Sequence, residues 1–130
     1  MKVLQPEQWP RPKGYACGIA ASGTSLFVSG QIGWDERGRF TADDIAGQVR
    51  QALLNIVAIL AEAGARAEHI VRLTWYVTDK REYLDAQREI GEAYREVMGR
   101  HFPAMSVVEV SGLLEDGAKV EIEATAVISQ

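Results

Sequence analysis

The clearest pattern along the chain is an alternation in Lys119–Ile128. Val120, Ile122, Ala124, Ala126 and Ile128 fall on one face, with Glu121, Glu123 and Thr125 on the other, the period of a half-buried strand. His101–Val110 is a second stretch rich in β-branched residues, and Pro103, lacking an N–H, suits a strand's first position. Between them Asp116-Gly117 is a turn signal, so the pattern predicts two neighbouring strands. His69–Thr78 sets Val71, Leu73, Trp75 and Val77 against Arg72, Thr74, Tyr76 and Thr78, again a half-buried strand. Tyr15–Ala20 and Ser25–Gly30 are shorter candidates, and Ala21-Ser-Gly-Thr24 between them reads as a hairpin turn.

Two segments change period. In Asp43–Ala63, Ile45, Val49, Leu53, Ile56, Leu60 and Ala63 recur at three- and four-residue steps, which predicts a helix. Thr41 can cap it, Asp43 and Asp44 suit the positive end of its dipole, and Gly64 stops it. Asp79 opens a second helix with Glu82 as its capping-box partner; Tyr83, Ala86, Ile90, Tyr94 and Val97 form its stripe and Gly99 ends it. Gln5–Lys13 holds three of the four prolines and reads as an irregular lead-in, with Trp9 packing on a neighbouring surface. Gln31–Phe40 is a loop, in which Trp34 is either core cover or the wall of a ligand site.

The order is therefore hairpin, helix, strand, helix, two strands: an α+β domain over residues 1–130, one sheet with two helices on one face. The other face carries Thr74, Tyr76, Glu121, Glu123 and Thr125, and subunit association is one way to cover it.

Composition narrows the function without naming it. A net charge of −4 and no Lys/Arg run argue against nucleic acid as a partner. No apolar run approaches the ~20 residues that span a membrane. Cys17 is the only cysteine, which excludes an intrachain disulfide and fits a reducing, cytoplasmic setting; in a strand it reads as an inert packed thiol. His69 and His101 belong to no metal-ligand spacing and read as surface residues. Gly30, Gly33 and Gly38 lack the dinucleotide-loop spacing. No cofactor and no metal are implied. On pattern alone, Glu121 is a solvated carboxylate on an exposed strand face.

Several short motifs in order carry a resemblance over nearly the whole chain: Gly14-Tyr15, Val28-Ser-Gly-Gln-Ile32, Pro103-Ala104-x-Ser106, Val108-Glu109-Val110 and Val120-Glu121-Ile122. Together they resemble the Rid (YjgF-type) family, small trimeric proteins whose best-known members hydrolyse reactive enamines and imines. The resemblance implies the chorismate-mutase-like Rid fold, a homotrimer and small-molecule clefts between subunits. It places Glu121 where deaminating relatives position or activate the hydrolytic water. Tyr15, Ser29, Gly30 and Gln31 match cleft positions, Gln87 falls roughly where relatives use an asparagine, and the Ser106–Val107 backbone could polarise the reacting centre.

One departure bears on the substrate. Met105 stands where deaminating members carry an arginine, and Val107 where the family has a cysteine. Arginine's fork grips a carboxylate through two hydrogen bonds; a thioether has no donor. A floor of Met105 and Val107 favours a less charged ligand, unless Arg72 or Arg88 supplies the clamp. The resemblance thus implies an imine or enamine hydrolase, or one acting on a related small carbonyl compound, outside the 2-aminoacrylate range. The alternative is a non-catalytic trimer that binds a metabolite. A ribonuclease activity, attributed to some relatives, fits the acidic charge poorly.

Overall fold

The protein is described by a computed structural model covering residues 1–129. Lys2–Leu4 (β1) and Gly18–Ala20 (β2) pair antiparallel as a small ribbon. The main sheet holds Thr24–Ile32 (β3), Ile70–Val77 (β4), Ala104–Glu109 (β5) and Val120–Ile128 (β6), in the order β3–β6–β4–β5. Among the described strands, only the β4–β5 pair is parallel. Ile45–Ala61 (α1), Lys80–Asp85 (α2) and Gln87–Met98 (α3) complete the fold, three helices on a mixed sheet.

The two strands predicted to be neighbours are not. β4 lies between β5 and β6, because the chain enters β5 by a crossover through α2 and α3 that leaves it parallel to β4 on the outside. The 110–119 loop then passes over the end of β4, where Val110 N–H donates to Val77 O (2.8 Å) and Thr78 N–H to Lys119 O (3.2 Å). Asp116-Gly117 turns the chain within that loop and closes no hairpin. The N-terminal hairpin also fails: β2 pairs with β1, and β3 with β6. Gly23, at φ +138°, passes so close to the Ile128 carbonyl that a Cβ would collide with it, so the turn brings β3 onto β6.

Trp9 is exposed in this chain instead of packed, and its backbone closes a turn onto Pro6 O (3.1 Å). Asp44, not Thr41, caps α1: its backbone is extended and its carboxylate accepts from Gly47 N–H (3.1 Å), so the helix begins at Ile45. Asp79 caps α2 as expected, accepting from Glu82 N–H (3.1 Å). Glu82 does not complete the box, since its carboxylate pairs with Lys119 Nζ (2.6 Å). The second helix is broken at Ala86 (φ −104°, ψ 18°) into α2 and α3, and Gly99 ends it at φ +65°.

One apolar layer joins sheet and helices. Val49, Leu53, Ile56 and Leu60 of α1 pack with Leu73, Trp75 and Val77 of β4 and Val120, Ile122 and Ala124 of β6, all buried. The opposite face of the sheet carries no helix. There Tyr76 Oη donates to Glu123 Oε1 (2.7 Å), a bond that raises the phenol's pKa above its ordinary value. On the same face Phe27, level with Thr125, is 80% exposed.

Candidate functional site

The residues singled out from sequence fall into two groups. The first surrounds a cavity of about 490 Å³ at the β5 edge, between that strand, α2 and α3, and the lead-in. Tyr15, Gln87, Met105 and Val107 all line it. Tyr15 reaches it because Gly14, at φ +80°, turns the chain and Ala16 then bridges to Ala104, its N–H donating to Pro103 O (3.0 Å). Met105 and Val107 stand level with Leu73 and Trp75 and so face the helices, since a strand alternates faces. Ser106, level with Thr74, faces the other way and does not line the cavity.

Aromatic rings form much of the wall. Tyr94 stacks on Phe102 (centroids 5.4 Å apart, 10° between planes) and lies over Trp75 (6.4 Å, 25°). Tyr94 Oη donates to His101 O (2.6 Å), and burial pushes its phenol above the usual range, so it stays neutral. His101 is therefore half-buried structure and not a surface residue; its Nε2 lies 2.6 Å from Ile70 O. His69 is half-buried too, its Nδ1 accepting from Arg66 N–H (2.8 Å).

The second group lies on β3 and β6. The register slips between Val28 and Gln31, which places Ser29 and Gly30 in an irregular stretch. Gln31 Nε2 donates back to Ser29 O (3.1 Å) and Oγ (3.2 Å). Glu121 lies level with Ile32 and Tyr76 on the helix-free face, its carboxylate against the bare backbone of Gly30, where a Cβ would collide with it. No ion pair or hydrogen bond engages that carboxylate among the described residues.

The groups do not meet in one chain. β3 and β5 are opposite edges of the sheet, three interstrand steps or about 14 Å apart. Glu121, on β6 between those edges, lies on the helix-free face, opposite to Met105 and Val107. Within one chain, neither Arg72 nor Arg88 lines the cavity beside Met105. Arg72 borders a depression with Phe27 and Glu123 on the helix-free face, and Arg88 turns outward toward Glu92 (3.6 Å).

Cys17 is exposed in a bend before β2, not packed in a strand, because the strand begins only at Gly18. Trp34 bridges to Phe40 and its ring lies against that residue (6.1 Å), with Trp34 O held by Asn55 Nδ2 (2.8 Å). It borders a separate shallow depression with Gln31 and Asn55. Among the described residues, no group of three acidic, histidine or cysteine side chains could hold a metal ion, and no helix is long and apolar enough to cross a membrane.

Residues 10–128 match the family described as endoribonuclease L-PSP. A 2-iminobutanoate/2-iminopropanoate deaminase from Salmonella typhimurium is 36% identical over 127 residues, 97% of each chain. This chain belongs to the Rid family. A RutC family protein from Pyrococcus horikoshii is 36% identical over 126 residues, 96% of each chain. The crystal structure of the Rid protein YyfB from Yersinia pestis superposes with a TM-score of 0.86 at 28% identity, covering 98% of both chains.

Sequence reasoning missed three members of this Rid chain's architecture. Gln48 is 2% exposed and fastens two loops, although its place among Val49, Ala52 and Leu53 marked it as a polar residue in an apolar stripe. Lys13 and Arg95 line the cavity. Both had the appearance of ordinary surface charges.

Proposed function

We propose that this Rid protein is a hydrolase of imines or enamines whose site forms between copies of the chain. One copy contributes Tyr15, Gln87, Met105 and Val107, and its neighbour contributes Ser29, Gly30, Gln31 and Glu121. The observation that supports this most is the division of the Rid-matching residues into two half-sites, one lining the β5-edge cavity and the other on β3 and β6 across the sheet from it. A second copy against the helix-free face, in a trimer, is the arrangement that could bring them together. Burial of Phe27 is a further gain of such packing.

In this reading Glu121 takes a proton from water as its oxygen attacks the C=N carbon. Glu121 returns that proton to the nitrogen of the tetrahedral adduct and relays the adduct's hydroxyl proton to it as well, so that the C–N bond breaks and ammonia leaves as the carbonyl forms. Tyr15 and Gln31 orient the ligand. Met105 offers no cation to a carboxylate next to the reacting carbon, so the substrate is one that does not need it there.

The direct assay compares freshly generated 2-iminopropanoate with an uncharged imine of similar size, on protein whose mass in solution is measured in parallel. We expect a trimer, turnover of the uncharged imine, and at least about tenfold weaker use of 2-iminopropanoate, the loss of one charge-assisted contact. A monomer of 14.3 kDa that turns over neither would remove the shared site.

Met105→Arg tests whether the remaining residues are poised. The variant is expected to lose some stability when empty, because a guanidinium enters a partly apolar cavity. Pyruvate should raise its melting temperature and leave the parent's unchanged. A folded trimer showing neither the shift nor deamination would favour the metabolite-binding reading, which the Met105 and Val107 floor also suits.

A further inference from the structure

The β5-edge cavity holds charge that the Rid resemblance does not account for. Gln87, Gly91 and Arg95 follow one another at four-residue steps on α3, so they share one helix face, and all three line the cavity. Gly91 leaves the space beside the Arg95 guanidinium empty: a Cβ at that position would lie 3.3 Å from Nη1. Arg95 has no carboxylate partner among the described residues, whereas its helix neighbour Arg88 pairs with Glu92. Lys13 lines the same cavity from the lead-in, and among the described residues no acidic one does. Two unpaired cations without an acid are notable in a chain of net charge −4.

Beneath these cations the wall is apolar and flat-sided, built from Trp75, Tyr94, Phe102 and Met105. The volume of about 490 Å³ exceeds what a three-carbon acid fills and lies within the ordinary range for ligand pockets, about 300–1,000 Å³.

We infer that this cavity binds an aryl-alkyl carboxylate or similar anion, its planar apolar body among Trp75, Tyr94, Phe102 and Met105 and its charge held by Arg95, with Lys13 assisting. The inference rests on the proposed function only where it names the substrate class of that site. An anion held by Arg95 is held by α3 and not by β5, so Met105 need not supply the clamp for a larger substrate.

Binding is measurable without turnover. Calorimetric titration with 3-phenylpropanoate, its neutral isostere 3-phenylpropanamide, and propanoate separates charge from apolar body. The phenyl acid is expected to bind at least about tenfold more tightly than either of the others. Arg95→Gln should erase the preference for acid over amide, Arg95→Lys should keep part of it, and Lys13→Gln should reduce it less. Both positions are exposed, so folding is expected to survive. Equal affinity for acid and amide, or a preference untouched by Arg95→Gln, would overturn the inference. Tight binding of the phenyl acid by a protein that hydrolyses no imine would sink the proposed activity and leave this inference standing.

Discussion

Replacing Gln48 with leucine is expected to cost about 3 kcal/mol of folding stability or more, although leucine nearly matches its volume. Gln48 Nε2 donates to Ala42 O (3.2 Å) and Gly117 O (3.1 Å), and Oε1 accepts from Lys119 N–H (2.8 Å). One side chain on α1 thus ties down the loop that precedes the helix and the turn that launches β6. Each lost bond removes about 1 kcal/mol, and a backbone group left without a partner costs up to about 3 kcal/mol. Gly33 presses on the same residue; a Cβ there would lie 2.6 Å from Gln48 Cβ and 2.7 Å from its Cα. Urea denaturation gives the measurement. A loss below about 1 kcal/mol would mean that water satisfies the three groups and that Gln48 is not the fastener.

Glu121→Gln should reduce kcat for imine hydrolysis at least about 100-fold, the low end of what a positioned general base supplies. Glutamine keeps the shape against Gly30 but cannot take a proton from water. The carboxylate is half-buried and bonds to nothing else among the described residues, so melting temperature and assembly should barely move. That pairing of a large kinetic effect with a small thermal one separates a catalytic role from a structural one. Unchanged turnover would transfer the base to another residue and undo the assignment.

The long periodic segments are legible in the sequence. The α1 stripe and the alternations of His69–Thr78 and Lys119–Ile128 each point to the right element and, for most positions, the right face; Ala63 lies exposed beyond the end of α1, and Val71 is only half-buried where the register slips. Partner choice is not legible, because turn signals are local. Asp116-Gly117 and Ala21-Ser-Gly-Thr24 each announce a reversal but do not say which strand lies beside which. Burial decides that: β6 has Val120, Ile122, Ala124 and Ala126 buried and takes an inner place, while β5, largely exposed from Ser106 onward, takes an edge.

Within the candidate site, Tyr15, Gln87, Met105 and Val107 came from motif positions, and they do share a cavity. Arg95 and Lys13 escaped notice because a lone cation on a polar helix face or in a proline-rich lead resembles solvated surface. The available signal was the four-residue spacing of Gln87, Gly91 and Arg95, with the glycine clearing space between two polar groups. The break at Ala86 left no trace in sequence, since neither glycine nor proline marks it.

The position of β6 also sets a schedule for folding. It is the latest strand in the sequence, yet it joins β3 to β4, and it pairs with β3 across almost the whole length of the chain. Until residues 120–128 leave the ribosome, β4 and β5 can pair but β3 has no partner in the main sheet. Contacts so distant in sequence close slowly. A nascent chain stalled before Val120 should therefore remain open to protease around β3, and protection there should arrive in one late step.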